Sequence, residues 1–454
     1  MSSISRRAIV KLAGSVSLGS MIPVFGKASD LDRKSLKSIT SLKTDILVVG
    51  GGTAGVIAAI QAARAGCSTI LVENGSQLGG TITTGGVSFP GLFYAWGKQV
   101  IGGIGWEIVT EAVKLNDDVL PDFSIPHGKD HWKHQIRVNG YLYALLAEEK
   151  CLKAGVQLRY YETPVDVQFR GNNWEVETIG KGKHTRITCN QLIDCTGNAA
   201  VTSLAGFNVL REVETQPGTL MFKIGGYDFG SLDLEMIRSR YNEEVKAGRL
   251  KEEDFRNSIE HLLRSAGDNA MHVTGADSTT SESNTITNIS GRNSLLTTLR
   301  FLRELPGCEK TRLLSMQTET GVRETYRIDG IYQITRDDYV NGKVFDDSVS
   351  YSFYPIDLHD INGVEPKQLT GGIVAAIPLR ALIPKNSQNF IVAGRCISSD
   401  RLANSALRVQ ASCMGMGQAA GAAAALASKL KTSPLKVPLN LIKSLIADNN
   451  GIVP

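Results

Sequence analysis

Regular patterning begins at residues 44–49, a compact apolar run that is too short for a helix and does not alternate; this is the pattern of a strand buried on both faces. Gly50-Gly51-Gly52-Thr53-Ala54-Gly55 follows at once. An alanine-rich helical stretch then covers 56–65 and stops at Gly66, and a second apolar strand over 68–72 ends at Glu73. Partial alternation of Val167, Phe169, Trp174, Val176 and Ile187 predicts a small antiparallel meander over 165–188. It returns to a strand that ends in Thr196-Gly197. Further on, 220–224 reads as strand, 233–266 as charged amphipathic helices, 390–394 as strand and 407–426 as a long helix of small residues. The Ser-, Thr- and Asn-rich stretch 274–288 reads as a loop, either facing a ligand or simply flexible. There is no internal repeat.

The first four elements carry a specific chemistry. Gly50 permits a tight turn out of the strand, Gly52 lets backbone approach a pyrophosphate, and Gly55 lets the helix pack close to the strand. The N–H groups at the helix start then face phosphate charge. Glu73, about twenty residues on, can accept hydrogen bonds from ribose hydroxyls and repels a 2′-phosphate. Strand, glycine turn, helix, strand and acid in that order predict a dinucleotide site and disfavour NADP.

Composition narrows the class. With 454 residues the chain is long enough for more than one core, and 42% hydrophobic with 21% charged residues is ordinary for a soluble globular protein. A net charge of +4, with no basic block interleaved with aromatics, gives no warrant for a nucleic-acid partner. Seven scattered cysteines without a CxxC support neither a redox dithiol nor a zinc or iron–sulfur site.

Six stretches sit in order over most of the chain: GGGTAGVIAAIQAARAG with ILVE, LGGT and TGGV, LIDCTGNAAV, GVRETYRIDG, IPLRALIPKNSQNFIVAGRCISSD, and ALRVQASCMGMGQAAGAAAALA. In these the chain resembles the glutathione-reductase-like flavoproteins, most closely the FAD-dependent oxidoreductase family of bacteria. The resemblance implies an α/β fold: a Rossmann-type FAD-binding domain of the glutathione-reductase-like class in two parts, 43–210 and 355–430, with an inserted α+β substrate domain over 211–354 and a tail over 431–454. It places Gly50, Gly52, Thr53, Ala54 and Gly55 at the FAD phosphates, Glu73 and Asn74 at the ribose, and Gly80 and Thr81 along the linker. Val165 offers backbone groups to adenine, and Thr196 and Gly197 pass near the adenosine half. Gly394 and Arg395 lie by the ribityl chain, with Met416, Gly417 and Gln418 at the flavin, where helix-terminus N–H groups stabilise a reduced ring. No second GxGxxG opens a strand–helix unit, since Gly102-Gly103-Ile104-Gly105 follows no buried strand pattern. Electrons therefore enter from a substrate or donor bound at the flavin itself.

Flavin oxidation of a C–H bond needs a group that takes a proton while the ring takes a hydride. His359 is the candidate base, in a turn-prone segment with Asp357 or Asp360 to orient it; its other reading is a loop histidine satisfying a hydrogen bond. Arg323 is the candidate substrate anchor, a guanidinium fork suited to carboxylate or sugar oxygens, or else the partner of a structural ion pair with Glu324. A strand over 322–327 would put Arg323, Thr325 and Arg327 on one face. Arg395, Asp400, Asn404 and Arg408 bracket the expected flavin edge. His127, His131 and His134 are spaced suggestively for a metal but read as surface histidines, so no metal is expected.

The N-terminus reads as an address. Arg6-Arg7 in the twin-arginine pattern, a mildly apolar stretch over 12–25 and small residues at 26–28 make 1–28 a signal peptide, or alternatively a basic tail. The expectation is an exported, periplasmic FAD-dependent oxidoreductase without a membrane span, acting on a small-molecule substrate with an unidentified electron acceptor. A flavin monooxygenase or halogenase and a non-catalytic flavin electron carrier are the alternatives.

Overall fold

The first apolar run forms the end of a longer strand, Ile39–Val49, whose final four residues, from Ile46 on, are fully buried. In the computed structural model residues 38–454 are described, apart from 128–129, 256–257, 361–362 and 365–366; the expected signal segment 1–28 lies outside them. The helix Thr53–Arg64 and the strand Thr69–Glu73 complete the first unit. Ile39–Val49 pairs in parallel with Thr69–Glu73 on one side and with Lys183–Asp194 on the other, and Gln157–Tyr160 extends the parallel sheet beyond Thr69–Glu73. The result is an α/β fold on a mixed sheet, as the alternation of strands and helices implied.

Lys183–Asp194 serves two kinds of partner, and its burial shows it. Toward its start it pairs antiparallel with Asn173–Gly180, which in turn pairs with Glu162–Arg170, giving the expected meander. There exposed and buried positions alternate, as suits a sheet covered on one face. Its last four residues are all buried, and Leu192, Ile193 and Asp194 pair in parallel with Phe390–Val392. The C-terminal strand is thus docked beside the first strand's partner, so Ile39–Val49 and Phe390–Val392 lie in one sheet with only Lys183–Asp194 between them.

The helix Gln410–Lys429 packs along Thr53–Arg64 at a separation only glycine permits. A Cβ on Gly417 would stand 2.2 Å from the Ala54 carbonyl oxygen, and one on Gly421 2.4 Å from that of Ala58. A second core, including Leu220, Phe222, Leu262, Met271, Leu295 and Phe301, fills the inserted segment. Its three-stranded sheet runs Gly267–Asp268, Phe222–Gly225, Arg312–Met316.

Three differences from the sequence-based expectation have physical reasons. The polar stretch after Thr274 becomes the helix Ser281–Arg303, started by a Thr280–Ser283 capping box, and buries Thr287, Gly291, Leu295, Thr298 and Leu302 on one face. Small polar residues on the buried stripe hide its period. Ile328 joins the core of the cofactor sheet, and Ile334, Tyr339, Val349 and Tyr354 join the main core, so packing returns to the cofactor domain well before residue 355. The segment expected as a tail contains the helix Leu439–Ala447, which buries Ile442 and Ile446 in the main core. No helix among the described residues is long and apolar enough to cross a membrane.

The helix crossing yields a stability test. Gly421→Val should cost about 3 kcal/mol in denaturant unfolding of the holoprotein, because the intruding Cβ meets backbone that cannot step aside. Gly371→Ala, at a position with no atom within 4 Å of the new Cβ, should change stability by less than about 0.5 kcal/mol.

Candidate functional site

The turn after the first strand is held from three sides. Gly50, at φ +100°, sits so close to the Cys195 carbonyl that a Cβ there would come within 2.4 Å of it. Glu73 accepts from the backbone N–H of Gly51 and of Gly75, each at 2.6 Å. Burial pushes the Glu73 carboxyl up, and those two backbone donors oppose the rise. Gly79 N–H donates to the Gly51 carbonyl at 2.8 Å, bringing the second glycine loop over the first, and Gly80 lies directly against Gly52. Thr81 and Asn74 are exposed beside them.

Gly52 differs from its neighbours: a Cβ there would meet nothing within 4 Å. It caps Thr53–Arg64 without a side-chain hydrogen bond, and the first turn carries no acidic residue. The open space therefore lies in front of the N–H groups of Thr53, Ala54 and Gly55, the arrangement that takes a pyrophosphate. These residues fit FAD.

The remaining cofactor candidates divide. Asp194 shapes the Thr196-Gly197 turn by accepting from Thr196 N and Oγ1 and from Thr202 N and Oγ1 at 2.6–3.0 Å. Gly394, at φ +102°, faces the Ala54 side chain and closes the crossing. Val165 is the residue skipped in the meander register, between the Pro164 and Asp166 pairs, so its backbone stands outside the ladder. Tyr161 N–H donates to the Gly75 carbonyl, which brings the start of this strand beside Glu73.

Met416, Gly417 and Gln418 do not meet the reason given for them. The helix starts at Gln410, so they lie about 9–12 Å along it, with their N–H groups inside the helix ladder. Gly417 serves the crossing with Ala54. Gln418 accepts from Ile104 N–H and donates to Ile446 and Asn449 carbonyls, each at 3.3 Å. The helix end that can face a flavin is Val409-Gln410-Ala411, where Gln410 donates to Val87 and Ala411 to Pro90.

The catalytic candidates converge. His359, 4% exposed, has Nε2 3.2 Å from Asp357 Oδ2 and Nδ1 3.4 Å from His272 Nε2. Its backbone N–H donates to Gln216 Oε1. Arg408 Nη2 reaches the Asp357 carbonyl at 3.2 Å and Gln216 Oε1 at 3.4 Å. Arg323 donates to the Pro217 carbonyl and adds its positive charge to both Asp357 and His359. The alternative reading of Arg323, an ion pair with Glu324, is not formed: Glu324 accepts from Arg401 and from Gln216 N and Nε2. Nor do 322–326 form a strand; Thr325 donates to Gly197 and Arg327 to Glu212. Arg395 bonds to the Gly197 and Val322 carbonyls, tying the adenosine-side turn to the Arg323 segment, which is a positioning role. Asp400 and Asn404 are likewise structural, capping and bracing the helix Arg401–Leu407. His272 and Gln216, both in the insertion, leave no signal in the sequence.

The histidine triplet is corrected too. His131 and His134 are buried, not surface residues, and are spent on Tyr354, Gln368 and the Ile125 carbonyl. All seven cysteines are free and buried, and burial pushes the Cys413 thiol up to about 12, so no thiolate stands near the cluster. Between the second glycine loop and the insertion lies a cleft of about 370 Å³, lined by Thr83, Arg137, Met221, Phe222, Asp268 and Gln317 among others.

A glycine turn opening onto bare helix N–H groups, an acid at the ribose position and a buried imidazole–carboxylate pair define a dinucleotide-dependent redox enzyme of the α/β class. The family of FAD dependent oxidoreductases matches residues 45–446, and the chain belongs to that family. Its cofactor is FAD. Among solved structures, OxyS anhydrotetracycline hydroxylase from Streptomyces rimosus is similar at TM-score 0.43 and 11% identity, over 90% of this chain and 66% of the hydroxylase. A geranylgeranyl bacteriochlorophyll reductase-like protein from Thermoplasma acidophilum gives 0.41 at 13% identity, over 91% and 85% of the two chains. This chain thus spans just under two thirds of the hydroxylase, and the assignment rests on the family match and the geometry.

Two measurements test the site. Gly52→Val should weaken FAD binding about 100-fold, read by fluorescence titration of apoprotein, yet leave the apoprotein melting temperature unchanged, because the new side chain enters space only the pyrophosphate needs. The second concerns acid. Burial, then the charge of Arg323, pushes His359 down to about 3 from its ordinary 6.5, against the pull of Asp357. Burial alone would raise the Asp357 carboxyl, but His359, Arg408 and Arg323 hold it well below the usual carboxylate range. The unfolded chain protonates His359 near pH 6.5 while the folded chain refuses until about 3, so this contribution is complete above 6.5 and is lost as pH falls toward 3. Between pH 6.5 and 4.5 unfolding free energy should drop by about 2–3 kcal/mol more in the parent protein than in His359→Gln.

Proposed function

We propose that this FAD-dependent oxidoreductase exchanges a hydride with a small organic substrate, and that His359, oriented by Asp357, handles the accompanying proton. The observation that carries this reading is the line Asp357–His359–His272, buried where the insertion meets the cofactor domain and flanked by Arg323 and Arg408. Bound FAD supplies the two-electron exchange. With Asp357 accepting from Nε2–H, the neutral ring carries its lone pair on Nδ1, the nitrogen facing His272. Nδ1 then accepts from His272 Nε2–H, so a substrate proton reaches it by relay, His272 taking that proton on its other nitrogen as it passes its own on, and the carboxylate on the opposite side stabilises the imidazolium. The surrounding residues exclude water, since His359, His272 and Gln216 are 4%, 3% and 1% exposed.

The cofactor domain belongs, in this reading, to the glutathione-reductase-like class. In support, a parallel sheet is interrupted by a three-stranded meander before the strand carrying Thr196-Gly197, and the C-terminal strand docks beside it. The Arg6-Arg7 pattern supports export of the enzyme by the twin-arginine route after folding around FAD, toward an electron acceptor outside the cytoplasm.

Purified protein should be yellow, and anaerobic addition of sugars, amines and acids in turn should bleach the flavin band with one class only. His359→Ala should slow that bleaching about 100-fold at unchanged FAD content. If dithionite reduces the flavin and no metabolite class does, the electron-carrier alternative stands instead. Substrate-dependent consumption of one oxygen per product would indicate a monooxygenase.

A further inference from the structure

The cleft of about 370 Å³ between the second glycine loop and the insertion shares no residue with the His359 cluster. Its volume falls in the range of small-molecule sites, about 300–1,000 Å³. Thr83 and Gly86 form one wall, the approach to the helix Gly140–Lys153 a second, and the insertion strands Phe222–Gly225, Gly267–Asp268 and Arg312–Met316 a third. The Arg137–Asp268 ion pair, at 3.1 Å, joins the second wall to the third, and the Phe89 ring lies 4.4 Å from Arg137 Cζ. Gly86, at φ +67°, lets Gln317 lie against the loop, since a Cβ there would stand 2.3 Å from Gln317 Cγ. Contacts within the protein thus set the walls without a guest.

Charge in the lining balances. Arg137 and Lys223 both stand within 3.2 Å of Asp268 Oδ2, and Asp118 adds a second carboxylate, so two cations face two anions. An ionic guest of either sign would meet two charges of its own sign. Donors and acceptors say more. Asp268 Oδ2 takes the two cations and Asp118 Oδ2 takes Asn116, which leaves Oδ1 of each to accept from a guest. A carboxylate only accepts and a guanidinium only donates, so a guest that answers both needs groups that do both. The hydroxyl is such a group. The Gln77 and Gln317 amides make no hydrogen bond among the described residues, and they exchange water for hydroxyls at little cost. The same lining carries Ile82, Val138, Met221 and Phe222, apolar surface for C–H groups. Tyr141, 71% exposed, offers a ring face with no aromatic neighbour among the described residues.

We propose that this cleft is a binding site for a neutral saccharide ring, separate from the proton-handling cluster. A pyranose carries hydroxyls around its edge and C–H groups on its faces, so it meets both kinds of lining. A phosphorylated guest would have to draw Arg137 and Lys223 away from Asp268. A quinone has acceptors only and would leave the two carboxylates without a donor. The site does not depend on the redox reading, because a sugar seated here is held whether or not the flavin oxidises it.

Holoprotein is titrated by calorimetry and saturation-transfer NMR with methyl glucoside, galactoside, xyloside and mannoside, with glucuronate, glucosamine and cyclohexanol as controls. At least one glycoside should bind saturably, at least about 10-fold more tightly than any control. Binding counts with or without a change in the flavin band, so failure here is distinguishable from failure of the redox reading. Ser315→Trp, which fills the cleft from an exposed strand position, should weaken that binding at least about 30-fold, and Gln317→Ala about 10-fold, at unchanged FAD content and melting temperature. No saturable binding of any glycoside up to about 20 mM, equal binding of a control, or undiminished binding in Ser315→Trp overturns the proposal, and the first two outcomes need no variant to fold.

Discussion

The structure depends on one close crossing, where the start of the first helix passes beneath the terminal helix and beside the C-terminal strand. Ala54 is the meeting point: its carbonyl faces Gly417 and its methyl faces Gly394, while Gly50, four residues earlier, rests on the Cys195 carbonyl. Side chains larger than hydrogen at these glycines would separate elements that come from opposite ends of the chain. The small-residue composition of Gln410–Lys429 is therefore a condition for bringing the helix start at Gln410 to the same crevice as the phosphate turn. The packing requirement and the cofactor requirement fall on the same residues, except at Gly52. There a Cβ would meet no atom of the described residues within 4 Å.

From that crossing the chain of contacts leads to the chemistry. Gly394 is followed by Arg395, which holds the Gly197 turn and the Val322 carbonyl; Val322 precedes Arg323, whose charge acts on Asp357 and His359. The first steps are backbone neighbours or part-buried hydrogen bonds, and the last is the charge of Arg323 acting on Asp357 and His359. In such a water-poor setting electrostatic terms are large. That is why burial, with the charges of Arg323 and Arg408 added to it, keeps this imidazole neutral far into acid even with a carboxylate 3.2 Å from it.

How much of this is legible in the sequence depends on how local each feature is. The phosphate turn, Glu73, the meander and the terminal strand each span a few adjacent residues with a fixed period, and each appears where the pattern puts it. His359 and Arg323 are legible as candidates but not as a pair, because 36 positions separate them in a chain of 454 residues and only the fold brings them to one carboxylate. His272 and Gln216 carry no motif. Gln418 misleads for a reason intrinsic to helices: a small-residue run shows that something packs closely, but not which end of the helix faces the ligand. The Ser281–Arg303 helix is hidden because threonine and glycine on its buried face erase the apolar period that marks a helix.

Gln216 ties the inserted segment to the Asp357–His359 cluster. Its backbone N–H and Nε2 are both fixed on Glu324, which Arg401 holds in turn, and its Oε1 accepts from the His359 backbone and from Arg408. One amide therefore contacts both His359 and Arg408. Two residues on, Gly218–Thr219 pairs with His272–Val273, which carries the second imidazole. A displacement of this segment would move Gln216 and His272 together, and with them the line from Asp357 through His359. The arrangement of Asp357, His359 and His272 therefore depends on the contacts that this segment makes with Glu324 and Arg408.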